Sequence, residues 1–198
     1  MARRWAMGAA ADPASSPPKG SVLLRGRPPD AWTEPAWRSR VLYVPAARPR
    51  LAGSPAALVR AVEGLAAQTA RRAERAAAGT PPPPTLATLF ASLDLDASLA
   101  TAPWDTLSTG QAARAALSVA LAVGPDVLLV DEPTAALDAA AGAAVERALM
   151  ACGAAVVWVT HDAAQPARVG GRVFSVDASP GAAPARWTGG EWAGPART

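Results

Sequence analysis

Val127-Leu128-Leu129-Val130-Asp131-Glu132-Pro133-Thr134-Ala135-Ala136-Leu137-Asp138 sets four consecutive apolar residues in front of two carboxylates and a proline. An apolar run of this length, preceded by the breaker Gly124-Pro125-Asp126, reads as a strand buried on both faces of a parallel sheet. Asp131 and Glu132 then emerge at the strand's carboxyl end, where open α/β sheets bind their ligands. The flanks repeat the alternation. Ala112 to Val123 is helical by propensity and Ala139 to Met150 is a second helix, while Ala154 to Val159 reads as a second buried strand and Arg172 to Val176 as a third. Strands alternating with helices imply βαβ units and an α/β core.

Upstream the pattern is looser. Gly20 to Gly26 reads as a short strand closed by glycine, and Val41-Leu42-Tyr43-Val44-Pro45 as another stopped by proline, with a polar, Trp-containing loop between them. Pro55 suits a first helical position, Leu58, Val62 and Leu65 follow at helical spacing, and the Ala/Arg stretch to Ala78 extends the helix. Gly79-Thr80-Pro81-Pro82-Pro83-Pro84 is a stiff connector of polyproline type. Thr85 to Leu95 then reads as a further helix, and the Gly/Pro/Ala-rich tail after Ser179 as an edge strand or an extension. There is no internal repeat.

Composition narrows the classes. The 198 residues are 51% apolar and 18% charged, ordinary globular usage, but alanine supplies much of the apolar share, so the core rests on a few Val, Leu and Trp stretches. A formal charge of +3 with scattered arginines offers no clustered basic stripe for nucleic acid; Arg71-Arg72 with Arg75 reads as a solvated helix face. Cys152 has no partner for an internal disulfide, which fits a reducing compartment and a small packed residue near a helix end. No apolar run reaches the ~18–20 residues that cross a bilayer, so no direct membrane span is expected.

The twelve residues that open this section resemble the Walker B and D-loop segment of an ABC transporter ATPase, D-E-P-T-x-A-L-D. Two other stretches stand in the family's order. Leu107-Ser108-Thr109-Gly110-Gln111, continuing as Gln111-Ala112-Ala113-Arg114-Ala115-Ala116-Leu117, resembles the signature motif, and Val156-Val157-Trp158-Val159-Thr160-His161-Asp162 resembles the switch segment. Read without that context, Ser108 or Thr109 is a helix N-cap and His161 a hydrogen-bonded structural residue. The resemblance implies an α/β, P-loop NTPase-like core with an inserted helical sub-domain. It divides the chain into a partial core at 1–53, the helical sub-domain at 54–112, the rest of the core at 113–180 and a tail at 181–198. It implies ATP and Mg²⁺ as cofactors, Asp131 as the magnesium residue, Glu132 as the catalytic base and His161 as a contact to the γ-phosphate. Ser108, Thr109, Gly110 and Gln111 would address ATP held by an opposite subunit, and Asp138 would touch that subunit. The expected setting is a homo- or heterodimer on membrane subunits of a transporter, cytoplasmic and peripheral to the membrane.

This sequence departs from the family in three places. It contains no G-x-x-x-x-G-K-[ST] run, and its only lysine, Lys19, lies between Pro18 and Gly20. Thr109 stands where the family usually has glycine. Val41 to Pro49 resembles the Y-V-P-Q-x-P segment, but Ala46 and Ala47 replace its glutamine, and Gln68, Gln111 and Gln165 lie elsewhere in the sequence. Met1 to Gly8 resembles the helix that follows G-K-[ST], so the expectation is a chain that starts just past the phosphate loop, with the first strands and the P-loop missing, through a misassigned start or a truncated gene. Pro35 to Pro45 is similar to small stand-alone ATP-binding subunits, including those of the iron-export type. Two other readings stand beside the ATPase: a catalytically inactive partner that lends only its signature, and a soluble ABC protein acting on ribosomes or DNA.

Overall fold

Three parallel strands carry the architecture: β1 (Val41–Val44), β2 (Val127–Asp131) and β3 (Ala155–Val159), with β2 in the middle. The computed structural model describes residues 22–175 and the backbone of 186–187. Val130 lies between Val44 and Trp158, and Asp131 pairs with Val159, so the carboxyl ends of the strands share one edge. The apolar run of β2 does what its composition dictates, since Leu128 and Val130 are fully buried between neighbouring strands and packed helices.

The helices are α1 (Glu34–Arg38), α2 (Pro55–Glu63), α3 (Ala66–Ala77), α4 (Leu86–Ser92), α5 (Thr109–Val123), α6 (Ala139–Ala151) and α7 (Gln165–Val169). α5 is the central one. It packs on α2, α4 and β1, and its Ala112, Ala115, Leu117 and Leu121 are buried beside Phe90, Leu93 and Trp104. Full burial of side chains of this size contributes about 1.5–3 kcal/mol each, so a few large residues offset the small yield of the many alanines. Gly124 ends α5 with φ 68, and a Cβ there would come within 2.9 Å of Pro83. The glycine therefore permits both the left-handed cap and the close passage of the proline connector.

Several expectations need correction. The helix foreseen from Pro55 to Ala78 is broken after Glu63: Gly64 caps α2, and the backbone turns extended at Leu65 before α3 begins. β3 is half-exposed rather than buried, because only β2 pairs with it among the described residues. Instead of a third buried strand at 172–176 there is a two-residue strand, β4 (Phe174–Ser175), antiparallel to β5 (Arg186–Trp187) in a separate sheet. The expected strand at 20–26 is, in its described part, a tight turn in which Leu24 and Arg27 exchange backbone hydrogen bonds around Arg25 and Gly26. The resemblances at 1–21, and the tail beyond β4 apart from β5, lie outside the described residues.

Arg71 also departs from expectation, being 3% exposed rather than solvated. Its guanidinium donates to Asp126 Oδ1 at 2.8 Å, just before β2. Buried Arg40 and half-exposed Arg25 share Glu74 and approach the second Asp126 oxygen, so three arginines surround two carboxylates at the amino end of the sheet. Burial pushes the Arg71 guanidinium below its ordinary value, and the Asp126 bond opposes that fall. Cys152 caps α6 as a half-buried thiol, raised by burial. No helix among the described residues is long and apolar enough to cross a membrane.

Candidate active site at the carboxyl edge of the sheet

Asp131 ends β2, and the Tyr43 hydroxyl donates to its Oδ2 at 3.1 Å. Tyr43 is the only tyrosine in the chain, and the β1–β2 register sets it beside Leu129, which brings its ring end to the next carboxylate. The motif reading missed this partner; a single phenol one residue before the end of an apolar strand was the available signal.

Glu132 follows with φ 48, a left-handed backbone in a residue with a long side chain. Its amide donates to the Val159 carbonyl at 3.0 Å, extending the β2–β3 ladder by one bond and holding the strained residue in place. The side chain is only 20% exposed, and Oε1 is buried without a hydrogen bond. His161 Nε2 lies 3.8 Å from that oxygen, a contact beyond hydrogen-bond length, on a ring that is 95% exposed. Asp131, Glu132 and His161 are thus brought to one edge by two adjacent strands.

The segments around this edge are tied down by residues outside the motifs. Gln165, 1% exposed, donates from Nε2 to Thr134 Oγ1 at 3.1 Å and to Glu146 at 3.0 Å, joining the loop after Glu132 to α6 and α7. Arg168 grips Glu146 at 2.9 Å and Asp162 at 2.6 Å. Its hydrogen bonds hold both carboxyl groups below the usual carboxylate range and raise the guanidinium in turn. Asp162 also caps the turn that follows, accepting from the Ala164 amide at 2.9 Å.

The signature-like residues begin α5. Ser108 is its N-cap in a complete capping box: Ser108 Oγ accepts from the Gln111 amide at 3.2 Å, and the Gln111 side chain accepts from the Ser108 amide at 2.9 Å. A serine hydroxyl that accepts in a cap still has its own proton to donate. Thr109 is exposed in the first helical position. A Cβ on Gly110 would meet Leu137 Cδ2 at 3.3 Å, so the glycine lets this turn pack on the segment that ends in Asp138. Asp138 is exposed and caps α6, accepting from the Ala141 amide at 2.8 Å. Residues 108–111 and 136–138 therefore adjoin. No hydrogen bond or ion pair among the described residues joins the 108–111 turn to Asp131, Glu132 or His161. The three glutamines stay away from Ala46 and Ala47: Gln68 reaches Ser39 at the other end of β1, Gln111 caps α5, and Gln165 holds Thr134.

Residues 13–135 match the profile of the family described as ABC transporter. Seventy residues are 50% identical to a probable anion import ATP-binding protein of Haloferax volcanii, over 34% of this chain and 24% of that protein. Sixty-eight are 48% identical to a phosphate import ATP-binding protein of Mycobacterium intracellulare, over 33% of this chain and 24% of that one. The chain spans about a quarter of the length of these curated relatives. The dimeric structure of a bacterial ABC transporter cassette superposes with a TM-score of 0.58 at 24% identity, over 81% of this chain and 70% of that one. A bacterial Atm1-family ABC exporter with ATP bound gives 0.54 at 17% identity, over 77% of this chain and 26% of that one. The fold is the α/β, P-loop NTPase-like fold of these cassettes, and with the family profile covering most of its length, the chain belongs to the ABC transporter family.

Proposed function

We propose that the chain is the ATP-binding and ATP-hydrolysing part of a transporter, acting as a dimer of cassettes on separate membrane subunits at the cytoplasmic face. Glu132 carries this reading. A left-handed backbone and a buried carboxylate oxygen without a hydrogen bond each cost about 1–3 kcal/mol, and the contact within 4 Å that this oxygen makes to a cationic or ionisable group is to the imidazole of His161 at 3.8 Å. Such a carboxylate beside an imidazole suits a general base that takes a proton from an attacking water. The import ATP-binding relatives support the same chemistry.

On this reading Glu132 orients and deprotonates the water, and exposed His161 faces the phosphate that is attacked. Asp131, steadied by Tyr43, would hold Mg²⁺, which bound with ATP would neutralise phosphate charge. The residues thus fit the metal-and-water side of a nucleotide site; the phosphate cradle has no counterpart in the sequence. Ser108 offers its hydroxyl proton and Thr109 and Gly110 their first-turn amides to a nucleotide on the opposite subunit, Gln111 holds the cap that presents them, and Asp138 lies beside that interface. Residues 54–112 are read as the helical sub-domain, between core segments 1–53 and 113–180 and ahead of a tail at 181–198.

A second reading, a partner that lends only its signature turn, is supported by Ala46 and Ala47 standing where the family's glutamine would be and by Thr109 in place of its glycine. ATP turnover by the purified chain, alone and mixed with a cassette that has its own phosphate loop, separates the two. The first expects turnover that Glu132→Gln cuts by roughly 100-fold or more. The second expects none from this chain alone, stimulation of the added cassette, and no effect of Glu132→Gln on it.

A further inference from the structure

We infer that Arg48 is a positioning residue, a tether that fixes the turn leading into α5 against the carboxyl end of β1. Its Nη2 donates to three main-chain carbonyls: Trp104 at 3.0 Å, Asp105 at 2.9 Å and Leu107 at 2.6 Å. Leu107 immediately precedes the N-cap Ser108, so the guanidinium grips the residues that aim the first turn of α5. Three carbonyl oxygens converging on one nitrogen form a small negative concavity, and a charge-assisted donor is the group that satisfies it.

Both ends of the tether are anchored. On the α5 side Trp104 is 1% and Leu107 2% exposed, and the Trp104 amide donates to the Gly53 carbonyl at 3.0 Å. On the β1 side Tyr43 pairs in register with Leu129 and donates to Asp131. Between β1 and Arg48 stand Pro45, Ala46 and Ala47, none with a polar side chain. Arg48 is thus the first residue after β1 whose side chain can cross to α5. The tether joins the carboxylate edge to the turn that carries Ser108, Thr109, Gly110 and Gln111. Its importance for turnover rests on the function proposed above; its existence does not.

Backbone amide hydrogen exchange on the whole chain, without nucleotide, tests it. Arg48→Met is expected to speed exchange at residues 105–112 by roughly 10- to 100-fold, the local opening expected when charge-assisted bonds are lost, and to leave residues 127–131 unchanged. Arg48→Lys, whose ammonium has three protons for three carbonyls, is expected to recover most of the protection. A uniform rise along the chain would reduce Arg48 to a general stabiliser. That result, no change at 105–112, or no recovery by lysine would overturn the tether. Failure of the ATPase reading would show only in the turnover assay, because no nucleotide enters the exchange measurement.

Discussion

The two ends of β2 carry acidic residues, and the chain treats them in opposite ways. At the amino end Asp126 is ringed by Arg25, Arg40 and Arg71, and Glu74 completes the cluster. At the carboxyl end Asp131 accepts from a phenol, and Glu132 Oε1, like Asp126 Oδ2 without a hydrogen bond, faces the His161 ring at 3.8 Å where Asp126 Oδ2 faces the Arg25 guanidinium at 3.2 Å. Buried charge is tolerated where it is paired and is costly where it is not. The first end is held by fixed cations and serves the fold; the second sets a carboxylate against an exposed imidazole, the arrangement proposed above to act on something from solution. This difference separates a structural ion cluster from a candidate catalytic one within a single strand.

Removal of Asp126 should show the larger effect. Asp126→Ala leaves Arg71 buried with no carboxylate partner and is expected to lower unfolding stability by about 3–5 kcal/mol; Asp131→Ala, at a wetter position, should cost less than about 1 kcal/mol. Urea denaturation of both variants measures the contrast, and equal losses would break it. Glu132→Gly sharpens the comparison from the other side. Glycine accepts φ 48 without strain, and the substitution removes the unpartnered buried oxygen. The variant should be at least as stable as the parent, by up to about 1 kcal/mol, while any turnover is lost. A clear loss of stability would mean that Glu132 serves the fold after all.

How far the sequence revealed this layout follows from range. β2, its two carboxylates, the glycine-proline stop after α5 and a helix N-cap at Ser108 or Thr109 are local patterns and were legible, although the reciprocal bond from Gln111 was not read. Arg71 was misread because its partner, Asp126, lies on another element, and sequence spacing carries no record of that approach. Gln165 and Arg48 also bond to other elements, so neither stood out among polar residues of ordinary spacing. β3 was taken as buried because apolar composition does not say how many neighbours a strand will have. The His161 position was legible from its motif, but its near-complete exposure was not: a histidine after an apolar strand is as consistent with a buried ring as with an open one.

The smallest expected effect concerns the clamp that follows His161. Arg168 spans Glu146 on α6 and Asp162 beside α7, and its hydrogen bonds depress both carboxyl groups. For groups whose folded values lie below the unfolded ones, the stabilising contribution is complete above the ordinary carboxylate range, about 4, and is lost as pH falls through the depressed values. Acidification should therefore loosen α7 from α6 only below about pH 4, with little effect in the neutral range. Carbon-detected NMR titration of the two carboxyl groups reads this directly. Arg168→Met should move both midpoints up toward ordinary values and remove most of the acid-dependent loosening, because the clamp is then absent at every pH. Because Gln165 still joins Thr134 to Glu146 in that variant, the loop after Glu132 should keep its place. If that loop moved with the clamp, the carboxyl edge would depend on ion pairs much as the amino edge does, and the contrast between the two ends of β2 would narrow to Glu132 alone.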